Sequence, residues 1–344
     1  MTRRALREYV TAYLDEIGSL RYADISSIQP APYASLARGA SGIAYLLWRR
    51  GERRAARRWI SAARADRRRH AYVYNEFDLP RSSFMYGRTG GHWIAALLDP
   101  DQVTTYVRAA AGVGEQNFMI GAAGYLTGAR ILLQQGPHPG LRRRASAMAS
   151  VLLAHVRDKR PWHRLEASGF AFRLPGVLHA LLAWQDFVGE EIPPWLVTSM
   201  HALEHAWSAD AVPDGFMATW CNGAVGMTLV WAKAFACTND EQFLDAARRM
   251  ATLAMSVDEQ RSILCCGLAG VAYSLLELAR HDPTGHWSAQ AFDVGVRAVA
   301  IARRTPLEWP NGLYVGHPGI VCLAADLVAD QPRGFPAIEE RAST

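Results

Sequence analysis

Three cysteines stand in two short motifs whose side chains could bind a metal ion. Trp220-Cys221-Asn222-Gly223 carries one of them, and Leu264-Cys265-Cys266-Gly267 carries the other two. Thiolates are favoured ligands of Zn²⁺, and a catalytic zinc keeps three protein ligands and one open coordination position. Cys221, Cys265 and Cys266 are therefore predicted to hold Zn²⁺ with room for a substrate thiol. The alternative is that they are three buried structural thiols.

The remaining cysteines do not suggest a disulfide framework. The chain has five cysteines, an odd number, and two of them are adjacent. Cys237 and Cys322 fall within apolar helical stretches and are interpreted as core residues. In a reducing compartment, cysteines with this pattern are more often metal ligands or core residues than disulfide partners.

A seven-fold repeat positions these motifs. Each copy has the form Gly-x-x-Gly followed at once by a strongly apolar stretch, although the fourth copy is Arg173-Leu-Pro-Gly176. Successive copies lie 34 to 52 residues apart, which fits a hairpin of two helices and two loops. Each glycine pair is predicted to open an apolar helix. The copies begin at residues 39, 87, 121, 173, 223, 267 and 316.

Between the repeats lie more polar stretches with helical periodicity. An apolar inner ring of helices covered by an amphipathic outer ring explains both patterns. We therefore predict an all-α fold, an α/α-toroid with about seven inner and seven outer helices, in a single domain over residues 1–344. The clearest amphipathic stretches are 53–67, 140–156, 194–205, 241–257 and 287–303.

The toroid would place the loops before the inner helices side by side. The thiols from repeats five and six would then converge at neighbouring helix N-termini, which favour the thiolate form. Helix N-termini also leave backbone N–H groups without intrahelical partners, and we expect these groups to point into the same region.

Composition excludes some classes of protein. The chain has 344 residues, 50% hydrophobic and 20% charged, with a formal net charge of +5. This charge is too small to indicate nucleic-acid binding. No apolar run approaches the ~20 residues of a membrane span, and no signal peptide is visible, so a cytoplasmic protein is expected. Arginines clustered over 49–69 form either a solvated helix face or a dock for an acidic peptide.

These motifs resemble the lanthionine synthetase C-like family over about residues 30–325. Within that family, the Cys-Cys-Gly element at Cys265 resembles a subset with three cysteine ligands, where other members have Cys-His-Gly. The resemblance implies a zinc enzyme that forms thioether rings in a dehydrated ribosomal precursor peptide. A cysteine thiolate of the peptide undergoes Michael addition to dehydroalanine or dehydrobutyrine, and the resulting enolate is protonated.

The sequence departs from the family pattern at its proton-transfer positions. A fourth repeat reading G-x-A-H-G-x-x-G is expected, but Phe172 occupies the histidine position and Arg173 replaces a glycine. Asn117 stands where an acidic residue is expected, and Asn222 where Tyr or His follows the zinc cysteine. Met217 stands where an arginine is often found. Arg173, His317, Asn117 and Asn222 are the candidate catalytic residues, and His92 and His179 are further substitutes.

Three functions remain open at this point. The leading hypothesis is a stand-alone zinc-dependent cyclase, whose substrate is dehydrated by a separate dehydratase. The alternative is a scaffold that binds the peptide for partner enzymes, or a related thiol-addition enzyme in peptide natural-product biosynthesis. A glycosidase of similar fold would need a carboxylate pair at the helix mouths, and none is found there.

Overall fold

The computed structural model describes residues 2–66, 82–110, 113–158, 160, 169–208, 218–258 and 261–341. In these residues the regular structure is helical, and no β-strand is found. The helices are α1 Arg3–Ser19, α2 Tyr22–Ile28, α3 Ala40–Arg49, α4 Arg53–Ala65, α5 Arg88–Leu98, α6 Val103–Ala109, α7 Ala122–Gln135, α8 Pro139–Asp158, α9 Leu174–Val188, α10 Pro194–Ser208, α11 Ala224–Thr238, α12 Glu241–Ser256, α13 Leu268–Leu278, α14 Trp287–Ala302 and α15 His317–Leu327.

Seven helices form a closed inner ring. Each of α3, α5, α7, α9, α11, α13 and α15 contacts the next, and α15 returns to contact α3. These helices are mostly apolar around their whole circumference, and every residue of α3 is buried. A helix that is hydrophobic all round must be covered on all sides, which the ring and the outer layer together achieve.

The outer ring consists of α4, α6, α8, α10, α12 and α14 together with the N-terminal helix α1. Helix α12 shows why these segments lie outside: it buries Phe243, Ala247 and Met250 on one face and exposes Glu241 and Asp245 on another. Helix α1 packs on α15 and α14, so it covers the seventh inner helix. The predicted α/α-toroid of seven inner and seven outer helices is confirmed, and the N-terminus supplies the last outer helix.

The second glycine of each repeat is required by a close backbone contact. An added Cβ at Gly226 would lie 2.5 Å from the carbonyl oxygen of Trp220, and one at Gly176 would lie 2.1 Å from that of Phe170. The corresponding distances in the other five repeats are 2.1 to 2.7 Å. Such contacts cannot be made by any residue with a side chain, because Cβ and oxygen cannot approach so closely.

A circle of backbone hydrogen bonds joins the seven loops that precede the inner helices. The donor in each loop is the backbone N–H of a residue two positions before the repeat, and the acceptor is the carbonyl oxygen of the equivalent residue in the next loop. Met85, for example, donates to Met119 at 3.1 Å. The circle closes where Tyr314 donates to Ala37 at 3.0 Å. The register shifts by one residue in the fifth loop, where Trp220 rather than Cys221 donates to Cys265.

The C-terminal segment, residues 333–341, fills the centre of the toroid beneath these loops. Phe335 packs against the rings of Trp220, Tyr273 and Tyr314 at centroid distances of 5.4 to 6.3 Å. The Tyr314 hydroxyl donates to the carbonyl of Pro336 at 2.9 Å. This insertion was not predicted from the sequence, and it closes the lumen on one side of the loops.

Charged side chains of the inner helices hold this segment in place. Glu339 lies 3.2 Å from Lys233 of α11, 3.2 Å from His179 of α9 and 3.5 Å from Arg130 of α7. The Arg130 guanidinium also donates to the carbonyl of Ile338 at 2.6 Å. Glu339 of the tail thereby contacts side chains of three inner helices, α7, α9 and α11.

No helix among the described residues combines the length and the apolar character that a membrane crossing requires.

Candidate functional site

The cysteines occupy equivalent positions in two neighbouring loops. Cys221 and Cys265 each lie two residues before the first glycine of their repeats, and Cys266 lies one residue before it. The loops are neighbours because α11 and α13 pack together and Trp220 donates a backbone hydrogen bond to Cys265. The repeat itself therefore brings the three side chains together.

The three sulfur atoms converge as predicted. Cys221 Sγ lies 3.3 Å from Cys266 Sγ, which lies 3.2 Å from Cys265 Sγ. All three sulfurs lie within 4.8 Å of one another, and each cysteine is free and half-buried. Within the described residues this is the one cluster of potential metal ligands of its kind.

This arrangement fits a zinc ion. With zinc–sulfur bonds of about 2.3 Å, tetrahedral coordination sets sulfurs about 3.8 Å apart, an edge that a small outward rotation of the side chains would give. Each cysteine keeps part of its surface exposed, and all three lie in the loops before the inner helices, at the end of the toroid that we call its mouth. The donor set supports zinc, while the role of the cysteines as its ligands stays a prediction.

The thiols interact strongly with one another before any metal is considered. Hydrogen bonds from Cys265 and then Cys266 lower the pKa of Cys221 to about 3. The hydrogen bond with Cys221 raises the pKa of Cys266 to about 12, and hydrogen bonds with Cys221 and Cys266 raise the pKa of Cys265 well above its ordinary value. One thiolate is therefore shared by two protonated neighbours, and a cation would be needed to hold all three as thiolates.

Thr219 connects the loop to the cluster. Its hydroxyl accepts the backbone N–H of Asn222 at 3.1 Å and lies 3.6 Å from Cys221 Sγ. Because the oxygen already accepts from Asn222, its proton can be donated to a Cys221 thiolate. The sequence motif did not indicate this contact.

Two of the candidate catalytic residues lie beside Cys221. A Cβ added at Gly169 would lie 3.1 Å from Asn222 Oδ1, 3.2 Å from the Cys221 carbonyl oxygen and 3.4 Å from Arg173 Cδ. The missing side chain at Gly169 therefore makes room for both residues at the rim. Arg173 is exposed, and Phe172 next to it is half exposed.

Asn117 has a local structural partner. Its Oδ1 accepts the backbone N–H of Ile120 at 3.0 Å. Ser83 and Thr219 occupy the same position in their repeats and accept the equivalent N–H groups of Tyr86 and Asn222. Asn117 thus caps a turn that recurs in the fold, a local role of the kind expected for this residue type.

The three candidate histidines lie on three different inner helices, α5, α9 and α15. The Nδ1 atom of His317 is 2.9 Å from the hydroxyl of Tyr9 on outer helix α1, and the ring also packs on Tyr13. His179 faces Glu339 in the lumen. His92 is buried enough that burial, with Arg64 and Arg88 nearby, lowers its pKa to about 4.

The expectation of unpaired N–H groups at the helix N-termini is wrong in at least four repeats. The first helical N–H donates to a carbonyl seven residues earlier in its own loop, as Ala122 does to Glu115 and Leu268 does to Arg261. Ala40 and His317 make the same bond with Tyr33 and Pro310. In these repeats an enolate oxygen could not use those donors, so a side chain would have to stabilise it.

Sequence analysis missed a group of side chains contributed by the seventh, first and second loops. The Arg38 guanidinium carbon lies 4.0 Å from the Trp309 ring centroid and 5.5 Å from that of Tyr86. Arg38 and Tyr86 each stand one residue before a repeat, like Cys266, and that shared register could have indicated them. Met217 lies outside the described residues.

Comparison with known proteins is consistent with this architecture. The sequence profile of the family described as lanthionine synthetase C-like protein matches residues 32–340. Among solved structures, a chain described as nisin cyclase superposes with a TM-score of 0.66 at 13% sequence identity. That match covers 97% of this chain and 96% of the other, and at this identity it bears on the fold alone.

Proposed function

Since the chain belongs to the lanthionine synthetase C-like family, we propose that it is a zinc-dependent cyclase for a dehydrated peptide. The product would be a lanthionine or methyllanthionine thioether, formed when a cysteine of the peptide adds to dehydroalanine or dehydrobutyrine. The observation that carries the proposal is the convergence of Cys221, Cys265 and Cys266 at the mouth of the toroid. These residues also support assignment to the family subset with three cysteine ligands.

The metal would supply one element of the chemistry. A zinc ion held by three thiolates would lower the pKa of an incoming thiol and orient it for attack. With three cysteine ligands and a substrate thiolate the complex would carry a net charge near −2, which favours a nucleophilic, loosely held sulfur. The positive side chains at the rim would offset this charge.

Residues of this chain have three tasks around the thiols. Thr219 would donate its hydroxyl proton to a Cys221 thiolate, and it accepts the backbone N–H of Asn222 in the same loop. Arg173 and Asn222 stand beside Cys221, where they would bind the carbonyl groups of the peptide near the reacting residue. Phe335 and the tail close the lumen beneath the loops, so the peptide would enter from the mouth.

A direct experiment measures thioether formation by the zinc-loaded protein. The substrate is a synthetic capped peptide with one dehydroalanine and one cysteine separated by two glycines, and loss of free thiol is followed with mass spectrometry. The wild type should exceed the buffer background, and Cys266→Ala should fall to it. Cys237→Ala, which removes a thiol hydrogen-bonded to Leu182, should keep full activity. Equal activity of the two variants would contradict the proposal.

A peptide-binding scaffold is the second candidate, and the changes at Phe172, Asn117 and Asn222 favour it. A scaffold would bind the dehydrated peptide without accelerating thioether formation. The same assay therefore separates the two functions when it is paired with a binding measurement on the same peptide. In either case a separate dehydratase would supply the peptide.

A further inference from the structure

The circular geometry of the loops determines which side chains face the thiols. Hydrogen-bonded backbones lie about 4.8 Å apart, so a closed circle of seven loops has a diameter of about 11 Å. In such a circle the loop of the second repeat lies opposite the loops of the fifth and sixth. Tyr86 belongs to the second loop, and Cys221, Cys265 and Cys266 belong to the other two.

Tyr86 lies close enough to Cys265 and Cys221 for their charge to affect the pKa of its phenol. It stands in the same register as Cys266, at the half-buried position before the inner helix. Burial is the largest cause that raises the pKa of Tyr86, to about 12. The Arg38 guanidinium opposes that shift, and charge on Cys265 and Cys221 adds to it. The phenol and the thiols therefore belong to loops on opposite sides of a backbone circle about 11 Å in diameter.

Arg38 is held firmly beside the phenol. Its guanidinium lies between the rings of Trp309 and Tyr86, at 4.0 and 5.5 Å from their centroids. Its backbone carbonyl accepts the Gln29 side-chain amide at 2.7 Å. A Cβ on Gly312 would come within 2.7 Å of the Arg38 Cα, so the two loops pack tightly. A fixed cation beside a phenol stabilises the phenolate that remains after proton transfer.

From these placements we infer that Tyr86 is the catalytic acid of the proposed cyclisation and that Arg38 stabilises its phenolate. This inference rests on the proposed function. It gives Tyr86 the proton transfer that the family pattern assigns to a histidine, at the position that Phe172 occupies in this chain. A peptide lying across the mouth would have its dehydroamino acid between the thiols and Tyr86.

The step balances without any further reactant. The thiolate sulfur forms a bond to Cβ, the Cα–Cβ π electrons move to Cα and its carbonyl, and the Tyr86 hydroxyl gives its proton to Cα. The phenolate then takes a proton from water, which replaces the one lost by the substrate thiol. A peptide enolate is a far stronger base than a phenolate, so this transfer is favourable even with the raised pKa of Tyr86.

Delivery from the opposite rim has a stereochemical consequence. The sulfur attacks from one side of the mouth and the proton arrives from the other, so a single configuration at Cα should form. Without Tyr86, water would protonate the enolate from either face. A purely structural role for Tyr86 would change the rate or stability but not this ratio.

The test compares Tyr86→Phe with Tyr22→Phe, which removes a hydroxyl bonded to Asp66 at the outer layer. The zinc-loaded proteins receive the capped dehydroalanine–Gly-Gly–cysteine peptide, and chiral chromatography of the hydrolysed product gives the configuration at Cα. Tyr86→Phe should slow the reaction about 10²-fold and give both configurations, with unchanged zinc content. Arg38→Gln should slow it about tenfold, and Arg38→Lys should recover only part of that loss, because lysine keeps the charge but not the planar contact with the Trp309 and Tyr86 rings.

Two results would overturn the inference in distinguishable ways. If Tyr86→Phe matches Tyr22→Phe in both rate and configuration, Tyr86 is not the acid and the proposed function still stands. If the wild type forms no thioether above the buffer background, the proposed function fails, and the role of Tyr86 fails with it.

Discussion

At the scale of residues, spacing predicts the thiol cluster but not its surroundings. Cys265 and Cys266 are adjacent in sequence, and Cys221 holds the same repeat position as Cys265, so a repeat-based argument reaches all three. Arg38, Tyr86 and Trp309 are distant in the chain and meet because the ring closes between its last and first loops. An arginine, a tyrosine and a tryptophan at these positions cannot be told apart, by residue type alone, from other surface residues of the loops.

The histidines give the protein a defined response to acid. Burial is the largest cause that lowers the pKa of His92, to about 4, and it also lowers that of His179 and His317. In the unfolded chain a histidine has a pKa near 6.5, so the unfolded state binds more protons below that pH. Stability from these groups is therefore complete above about pH 6.5 and decreases as the pH falls toward 4.

His92→Gln should make unfolding less sensitive to acid. At pH 5 the variant should take up roughly one proton fewer on unfolding than the wild type. Urea unfolding at pH 7, 6 and 5 gives the slope of the unfolding free energy against pH. The expected slope is smaller in the variant, and an unchanged slope would show that His92 is not held neutral by the fold.

At the scale of elements, the repeat predicts where the inner helices begin. Each N-cap is the first residue of its repeat, including Arg173 in the copy that lacks the first glycine. The second glycine explains this regularity, since it lets each helix pack on the carbonyl of its own loop. The identity of the seventh outer helix is not encoded in any local pattern, because α1 lies some 300 residues from α15 in the chain.

Gly226→Ala should displace the loop that carries Cys221. The new Cβ would lie 2.5 Å from the Trp220 carbonyl oxygen and 2.7 Å from Phe170 Cβ, and overpacking of this kind costs about 1–3 kcal/mol. The free energy of unfolding in denaturant and the affinity for zinc should both decrease. Gly140→Ala in α8 is the matched control, because nothing lies within 4 Å of its Cβ position. If Gly226→Ala lowers the free energy of unfolding no more than Gly140→Ala does, the packing explanation is contradicted.

At the scale of the whole molecule, the C-terminal segment was the least predictable feature. Residues 333–341 have no helical periodicity, and Phe335, Ile338, Glu339 and Glu340 are buried. Only the assembled ring presents Lys233, His179 and Arg130 to one carboxylate. The extent of a single domain over residues 1–344 stays a prediction.

Glu339→Gln should destabilise the whole toroid. The variant removes the carboxylate that the buried Lys233 and Arg130 share, and loss of one partner of a buried ion pair costs about 3–5 kcal/mol. Urea unfolding measures this loss. Glu241→Gln, at an exposed position of helix α12, provides the control and should change stability little. A similar small change in both variants would show that the tail does not stabilise the ring.

The central claim is that three thiols of two neighbouring loops hold one zinc ion with an open position. Metal analysis combined with zinc X-ray absorption on the full chain tests it most directly. We predict about one zinc per chain with three sulfur ligands at about 2.3 Å, lost in Cys221→Ala and retained in Cys237→Ala. A protein that binds no zinc, or binds it equally well without Cys221, would contradict the account.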